Sequence, residues 1–323
     1  MTDTRTTPPR EAPPGARPAA GRRRGALRTY WPHYLAISPF FLLFLVFGLV
    51  PVLFSLYLAF QHWDGIGDIQ FVGLRNFAFL VKDSTFWLSL YNTFVIWIMS
   101  TVPMLFLALV LAVLLNSKVR FTSVYRIAYF IPNVTSLVAI AIVFGAVFST
   151  NQGLINAILG SLHIGAVPWL SNEWTIKLVI ASLITWQWTG YNAILYLAGL
   201  QAIPTEMYEA AKIDGAGPVQ TFFRITIPQL RPIILFTVVV STINGMQTFT
   251  EPQVLFGGNA SINPNSGGPG QAGLTAILYF YREAFSNNDY GYGAAIAWAV
   301  FLVILLFTAI NWRIVSRREK GTA

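Results

Sequence analysis

Glu209-Ala210-Ala211-Lys212-Ile213-Asp214-Gly215, continuing through Arg224-Ile225-Thr226-Ile227-Pro228, is a polar, helix-competent stretch between two long apolar runs. Pro204 suits the first turn of a helix, where a missing N–H costs little. Thr205 to Asp214 is rich in strong helix formers, and Glu206 and Glu209 fall in the first turns, where negative charge suits the helix dipole. Gly215 ends that helix because glycine takes a positive φ without a Cβ penalty. Pro218 then starts a second short helix that runs to about Ile225 and leads through Pro228 into the next apolar run. The unit expected is helix, glycine turn, helix, with a small-residue face at Ala210, Ala211 and Ala216. Phe222, Phe223, Glu209 and Arg224 could anchor a docked partner.

Around this unit the chain is far too apolar for a soluble domain. Of its 323 residues 55% are hydrophobic and only 11% charged, against roughly 25% charged in soluble domains. Cysteine is absent and His numbers three, which leaves no disulfide framework, thiol nucleophile or usual zinc spacing. No Gly-x-x-x-x-Gly-Lys-[Ser/Thr] occurs, so no cofactor is expected on this chain. Residues 1–28 are Pro-, Ala- and Arg-rich and are expected to form a disordered basic tail; 317–323 form a second basic tail. Residues 29–316 make the membrane domain. The positive charge lies in tails and short loops, and no nucleic-acid fold accompanies it. A signal peptide is disfavoured, because Tyr34–Phe60 is 27 residues long and no small-residue cleavage site follows.

Six runs are long enough to cross a bilayer, which takes about 20 helical residues. They are 34–60, 87–115, 124–148, 174–200, 228–255 and 293–315, and Pro39, Pro51, Pro103 and Pro132 predict kinks within them. An all-α integral membrane fold follows, since unpaired backbone groups are not tolerated in lipid. With the N-terminus placed inside, 17 Lys and Arg fall on the inner side and 4 on the outer. This positive-inside bias puts both termini, and the 201–229 loop, in the cytoplasm. Trp63, Trp87, Trp169, Trp174, Tyr290 and Tyr292 are expected in the outer interfacial belt. A short amphipathic helix is expected at 275–285 on the outer face, after a Gly/Asn/Pro-rich loop.

The spacing of 209–228 resembles the EAA loop of binding-protein-dependent ABC importers: Glu-Ala-Ala, three residues, Gly, nine residues, Ile, one residue, Leu, Pro. Ile227 stands where the loop usually has Leu. Gly73-Leu74-Arg75-Asn76-Phe77, Tyr125-Arg126 with Tyr129–Pro132, Trp186–Gln201 and Phe249–Leu255 also resemble elements of the sugar branch, and most closely actinobacterial permeases for cellobiose- or xylobiose-type sugars. The polar insert 259–270 departs from the pattern by delaying Gly267-Gly268-Pro269. The resemblance implies the type I importer permease fold in a bacterial cell membrane. It implies assembly with a second homologous permease, two ATPases that carry ATP and Mg, and an extracellular solute-binding protein. Glu209, Ala210, Ala211, Asp214, Gly215, Ile225 and Pro228 would then couple the chain to the ATPase.

A sugar pathway needs hydroxyl-bonding groups beside flat aromatic faces. Trp186, Trp188, Tyr191 and Asn192 in the fourth span offer both, as do Ser241, Asn244, Gln247 and Thr248 on one side of the fifth. A polar stripe in lipid should face a cavity or another helix. Glu251 is expected near the outer boundary as a hydrated residue at the helix end, and Arg126 as a snorkelling residue. Asn259-Ala260-Ser261 matches a glycosylation sequon. The alternatives are a secondary, ion-gradient transporter, which normally needs ionisable residues near the midplane, and a membrane enzyme, for which no nucleophile–base or paired-carboxylate arrangement appears in the spans.

Overall fold

The computed structural model describes residues 23–117, 122–257 and 264–319. Two compact units divide the chain, Met1–Phe54 and Ser55–Ala323. The first holds α1 (Arg23–Leu43), a π-helical turn at Phe44–Leu49, and the start of α2 (Val50–Leu58). Residues 23–28, expected in the tail, are already helical, in keeping with their Arg, Ala and Leu content. Pro32 and Pro39 lie inside α1. From Tyr30 to Leu58 the helix is 29 residues long, apolar enough to cross a membrane, and almost wholly exposed.

The second unit opens with β1 (Gln61–His62) and β2 (Gln70–Phe71), an antiparallel pair with Gln61 opposite Phe71. The following 73–77 motif has a structural task. Gly73 sits at φ +59°, and the Asn76 amide donates to Ala59 O at 3.1 Å and Gln61 O at 2.8 Å. The motif so clamps α3 (Arg75–Lys82) onto the hairpin, with Phe77 against Phe60. Asp83 then caps α4 (Ser84–Asn116), accepting from Thr85 N at 2.9 Å.

The run expected as one span at 124–148 is two helices, α5 (Thr122–Val134) and α6 (Leu137–Val147), bent by 94°. Three causes converge at the break. Pro132 removes a donor, Thr135 bonds back to Ile131 O at 2.8 Å, and Ser136 has ψ 123°. After α7 (Leu154–Ser161) comes α8 (Glu173–Gln201), the centre of the unit. Ala108 and Ala112 of α4 meet Ala193, Tyr196 and Leu197 of α8 in one buried cluster. Small side chains let the two backbones approach. At Gly190 a Cβ would lie 1.8 Å from Tyr129 O, so α5 also rests directly on α8.

Next come α9 (Thr205–Ile213), α10 (Pro218–Thr221), a π turn at Phe222–Thr226 and α11 (Ile227–Met246). The expected second short helix is thus fused to the fifth run as one 29-residue helix, Pro218–Met246. That run ends early. After Met246 the chain unwinds, and α12 (Thr250–Gly257) is a separate helix. The freed Thr248 carbonyl accepts the Thr275 hydroxyl at 2.6 Å.

The 275–285 segment forms α13 (Ala276–Tyr281) and a π turn to Ser286. One side of it is buried through Ala276, Leu278 and Tyr279, and Phe285 is exposed. Polar side chains of α4 anchor it: Thr93 accepts from Ala276 N at 2.8 Å, and Asn92 donates to Gln271 O and Leu274 O. The last helix is α14 (Tyr290–Glu319). Tyr292, expected in the interfacial belt, is buried and donates to Asp83 at 2.5 Å, while Trp63 and Tyr290 pair nearby.

Four helices among the described residues are long and apolar enough to cross a membrane, five if the bent pair counts as one. The remaining expected span, α8, is 29 residues long but too polar to join them. Its Lys177, Gln187, Thr189 and Asn192 are buried inside the unit, where lipid does not dictate composition. Residues 1–22, Lys118, Arg120, the Asn259–Ser261 sequon and 320–323 lie outside the described residues.

Candidate functional site

The break between α11 and α12 opens onto a cavity of about 260 Å³. Gln187, Trp188, Tyr191 and Asn192 of α8 line one side; Ser241, Asn244, Gln247, Thr248 and Glu251 line the other. Thr101 and Met104 of α4 contribute from a third helix. Seven of the eight residues singled out in the sequence for a sugar pathway therefore meet in one place. Trp186 does not. It points off the opposite face of α8, 49% exposed, against Phe144.

Local structure explains the arrangement. Trp188 and Tyr191 stand edge to face, centroids 5.8 Å apart, a favoured geometry for aromatic pairs. Asn192 is held by the Trp188 carbonyl at 3.0 Å and lies 3.8 Å from Met104 Sδ. Below the cavity, the Tyr196 and Thr237 hydroxyls pair at 2.8 Å, tying α8 to α11. Helical backbone interrupted beside a cavity is a recurring way to build polar sites in membrane proteins, since the unwound segment can be satisfied by protein.

Two members of the lining escape a reading by helical period. Glu251, expected to be hydrated, is only 8% exposed, because the chain turns at 247–249 and re-enters as α12. Gln187 is 5% exposed and its Oε1 has no hydrogen-bond partner. Leaving a buried acceptor unsatisfied costs about 1–3 kcal/mol. Its place between two tryptophans was the available signal.

The 201–229 loop is built as a cap. Ala216 N donates to Ala211 O at 2.9 Å and Gly215 N to Lys212 O at 3.2 Å, with Gly215 at φ +75°. This is the Schellman pattern, which satisfies the last carbonyls of α9. Tyr208 and Thr226 hydroxyls meet at 3.2 Å and join α9 to the base of α11. Glu209, Ala210, Asp214, Gly215 and Pro228 are exposed, and Ile225 is half-buried. Ala211 is buried, so the small-residue face is not available as one surface; Ala211 packs inward under the loop, and Ala216 is half-buried. Phe223, named in the sequence as an anchor, is 65% exposed, and two residues the sequence reading passed over, Ile213 and Val219, are 86% and 72% exposed.

The family model for the binding-protein-dependent transport system inner membrane component matches residues 77–320, and the chain belongs to that family. It is a multi-pass membrane permease subunit of an ABC transport system. The arabinooligosaccharides transport system permease protein AraP of Bacillus subtilis (strain 168) is 37% identical over 283 residues, 87% of either chain. The lactose transport system permease protein LacF of Rhizobium radiobacter is 35% identical over 301 residues, 92% of this chain and 98% of the relative. Among solved structures, a chain of the bacterial alginate ABC transporter in complex with its alginate pentasaccharide-bound periplasmic protein superposes with a TM-score of 0.78. It is 22% identical, and the match covers 92% of this chain and 98% of that one. At that identity the two share the fold of an importer permease.

Proposed function

We propose that the chain is the transmembrane subunit of an ATP-driven importer of a di- or oligosaccharide in a bacterial plasma membrane. The α8–α11 cavity carries this reading: it sets amides and hydroxyls beside the Trp188 and Tyr191 rings in a fold whose relatives are named for arabinooligosaccharides and lactose. The relatives' sugars differ, and the cargo is assigned by class rather than as cellobiose or xylobiose.

In this reading the helices cross the membrane six times, with α8 and the bent α5–α6 pair counted, and both termini face the cytoplasm. A second permease completes the pathway, and a solute-binding protein delivers the sugar from outside. Two ATPases, which carry the ATP and Mg, seat the 201–229 loop through Glu209, Ala210, Asp214 and Gly215, with Ile213, Val219 and Phe223 as the apolar contact. An ion-gradient mechanism has no support in the comparisons.

The test is reconstitution of this chain with the second permease, ATPases and binding protein of its own system into liposomes. Uptake of radiolabelled lactose, maltose or arabinobiose should require internal ATP. Uptake that proceeds unchanged without the ATPases would overturn the reading.

A further inference from the structure

Glu251 is the one carboxylate in the cavity lining, and it is buried in the first turn of α12. Gln187 lines the same cavity with an amide oxygen that no group of the protein engages. None of the other lining residues is Lys, Arg or His. The site therefore holds two buried acceptors and no resident cation.

Gln187 Oε1 is open, while the Glu251 carboxylate already takes backbone N–H groups of Phe249 and Glu251 and has capacity for more; what else could engage the pair is constrained. A bound metal would need more ligands, and no group of three His, Cys, Asp or Glu stands together among the described residues. The cavity is also far larger than an ion, with Trp188 and Tyr191 in its wall. A polyol ring brings hydroxyl donors for the acceptors and an apolar face for the rings. Adjacent hydroxyls match the two oxygens of a carboxylate. A sugar acid does not fit: its carboxylate would lose water and find no Lys, Arg or His in the lining to offset its charge. The fold itself does not forbid acidic sugars, since a similar chain comes from a transporter involved in the import of the acidic polysaccharide alginate. The lining does.

We propose that Glu251 and Gln187 form the acceptor end of the sugar subsite, admitting neutral rings with adjacent hydroxyls and rejecting rings that carry a carboxylate. The inference rests on the sugar-import reading. Its test uses the complete reconstituted transporter, with lactose, maltose, arabinobiose and digalacturonate as probes, each loaded on saturating binding protein. Glu251→Gln keeps the shape and replaces an acceptor by a donor; Gln187→Met keeps the volume and removes the acceptor.

Wild type should take up at least one neutral probe and no digalacturonate. Each variant should lower neutral uptake tenfold or more, with the ATPase activity stimulated by loaded binding protein kept within twofold. If both variants transport like wild type, or their ATPase activity falls in parallel with uptake, the inference fails and the sugar-import reading stands. Digalacturonate entering as fast as the neutral probes has the same meaning. If wild type takes up none of the four, both fail.

Discussion

Gly215 and Asp83 show how single positions set local geometry. Gly215 sits at φ +75° with nothing within 4 Å of where a Cβ would be, so only the backbone preference opposes a larger residue. Gly215→Ala should cost about 1 kcal/mol of stability, a small downward shift in the thermal midpoint of the purified transporter. ATP-driven uptake should fall much further, because the exposed loop would change shape. Asp83 is pushed up by burial, but hydroxyl donors from Tyr279 and Tyr292 and the N–H groups of Thr85 and Phe86 outweigh this and hold its carboxyl below the ordinary value. Burial, with Asp83 beside it, pushes the Tyr279 hydroxyl up, so it stays a donor. A depressed acid contributes stability that is full above its unfolded pKa of about 4 and lost as pH falls below that. The thermal midpoint of wild type should therefore drop between pH 5 and pH 3 more steeply than that of Asp83→Asn, measured in the same detergent. Equal slopes would remove Asp83 from the account.

Elements in this fold are placed by close approach and by carbonyls that need donors. The α5–α8 crossing depends on Gly190, where a Cβ would fall on the Tyr129 backbone and no flexible side chain can yield. Gly190→Ala should destabilise by about 1–3 kcal/mol or more, read as lower yield of folded protein and an earlier thermal transition. A midpoint unchanged within a degree would show that α5 can move away. The break after α11 is stabilised in a different way. Thr275 covers the Thr248 carbonyl, while Asn92 and Thr93 on α4 hold the segment that carries Thr275. The polar residues of α4 thus serve the 271–276 segment, which in turn keeps the cavity's broken helix in place.

Orientation in the membrane belongs to the whole molecule. The absence of cysteine makes it directly measurable, since any introduced thiol is the only one. A membrane-impermeant maleimide added to intact cells should label Asp68→Cys, on the hairpin, and leave Glu209→Cys untouched until the membrane is opened. Labelling of Glu209→Cys from outside would invert the proposed topology and separate the loop from any cytoplasmic ATPase.

Apolar run length, the Lys and Arg distribution and the glycine-turn loop are local properties, and they carry the helical membrane class, the expected orientation and the turn at Gly215. Seven cavity residues were legible too, because polar side chains in a lipid-length helix must face protein or water. Other features depended on contacts between distant segments. The early end of α11 was decided by a hydroxyl 27 residues downstream, whereas the bend in 124–148 was local, with Thr135 and Ser136 enlarging the kink that Pro132 predicts. Glu251 sits inside because α12 folds back, and Ala211 faces inward because α9 lies against the base of α11. Period along one helix specifies which residues share a face. What that face meets is settled by the other helices, and burial exists only once they have packed.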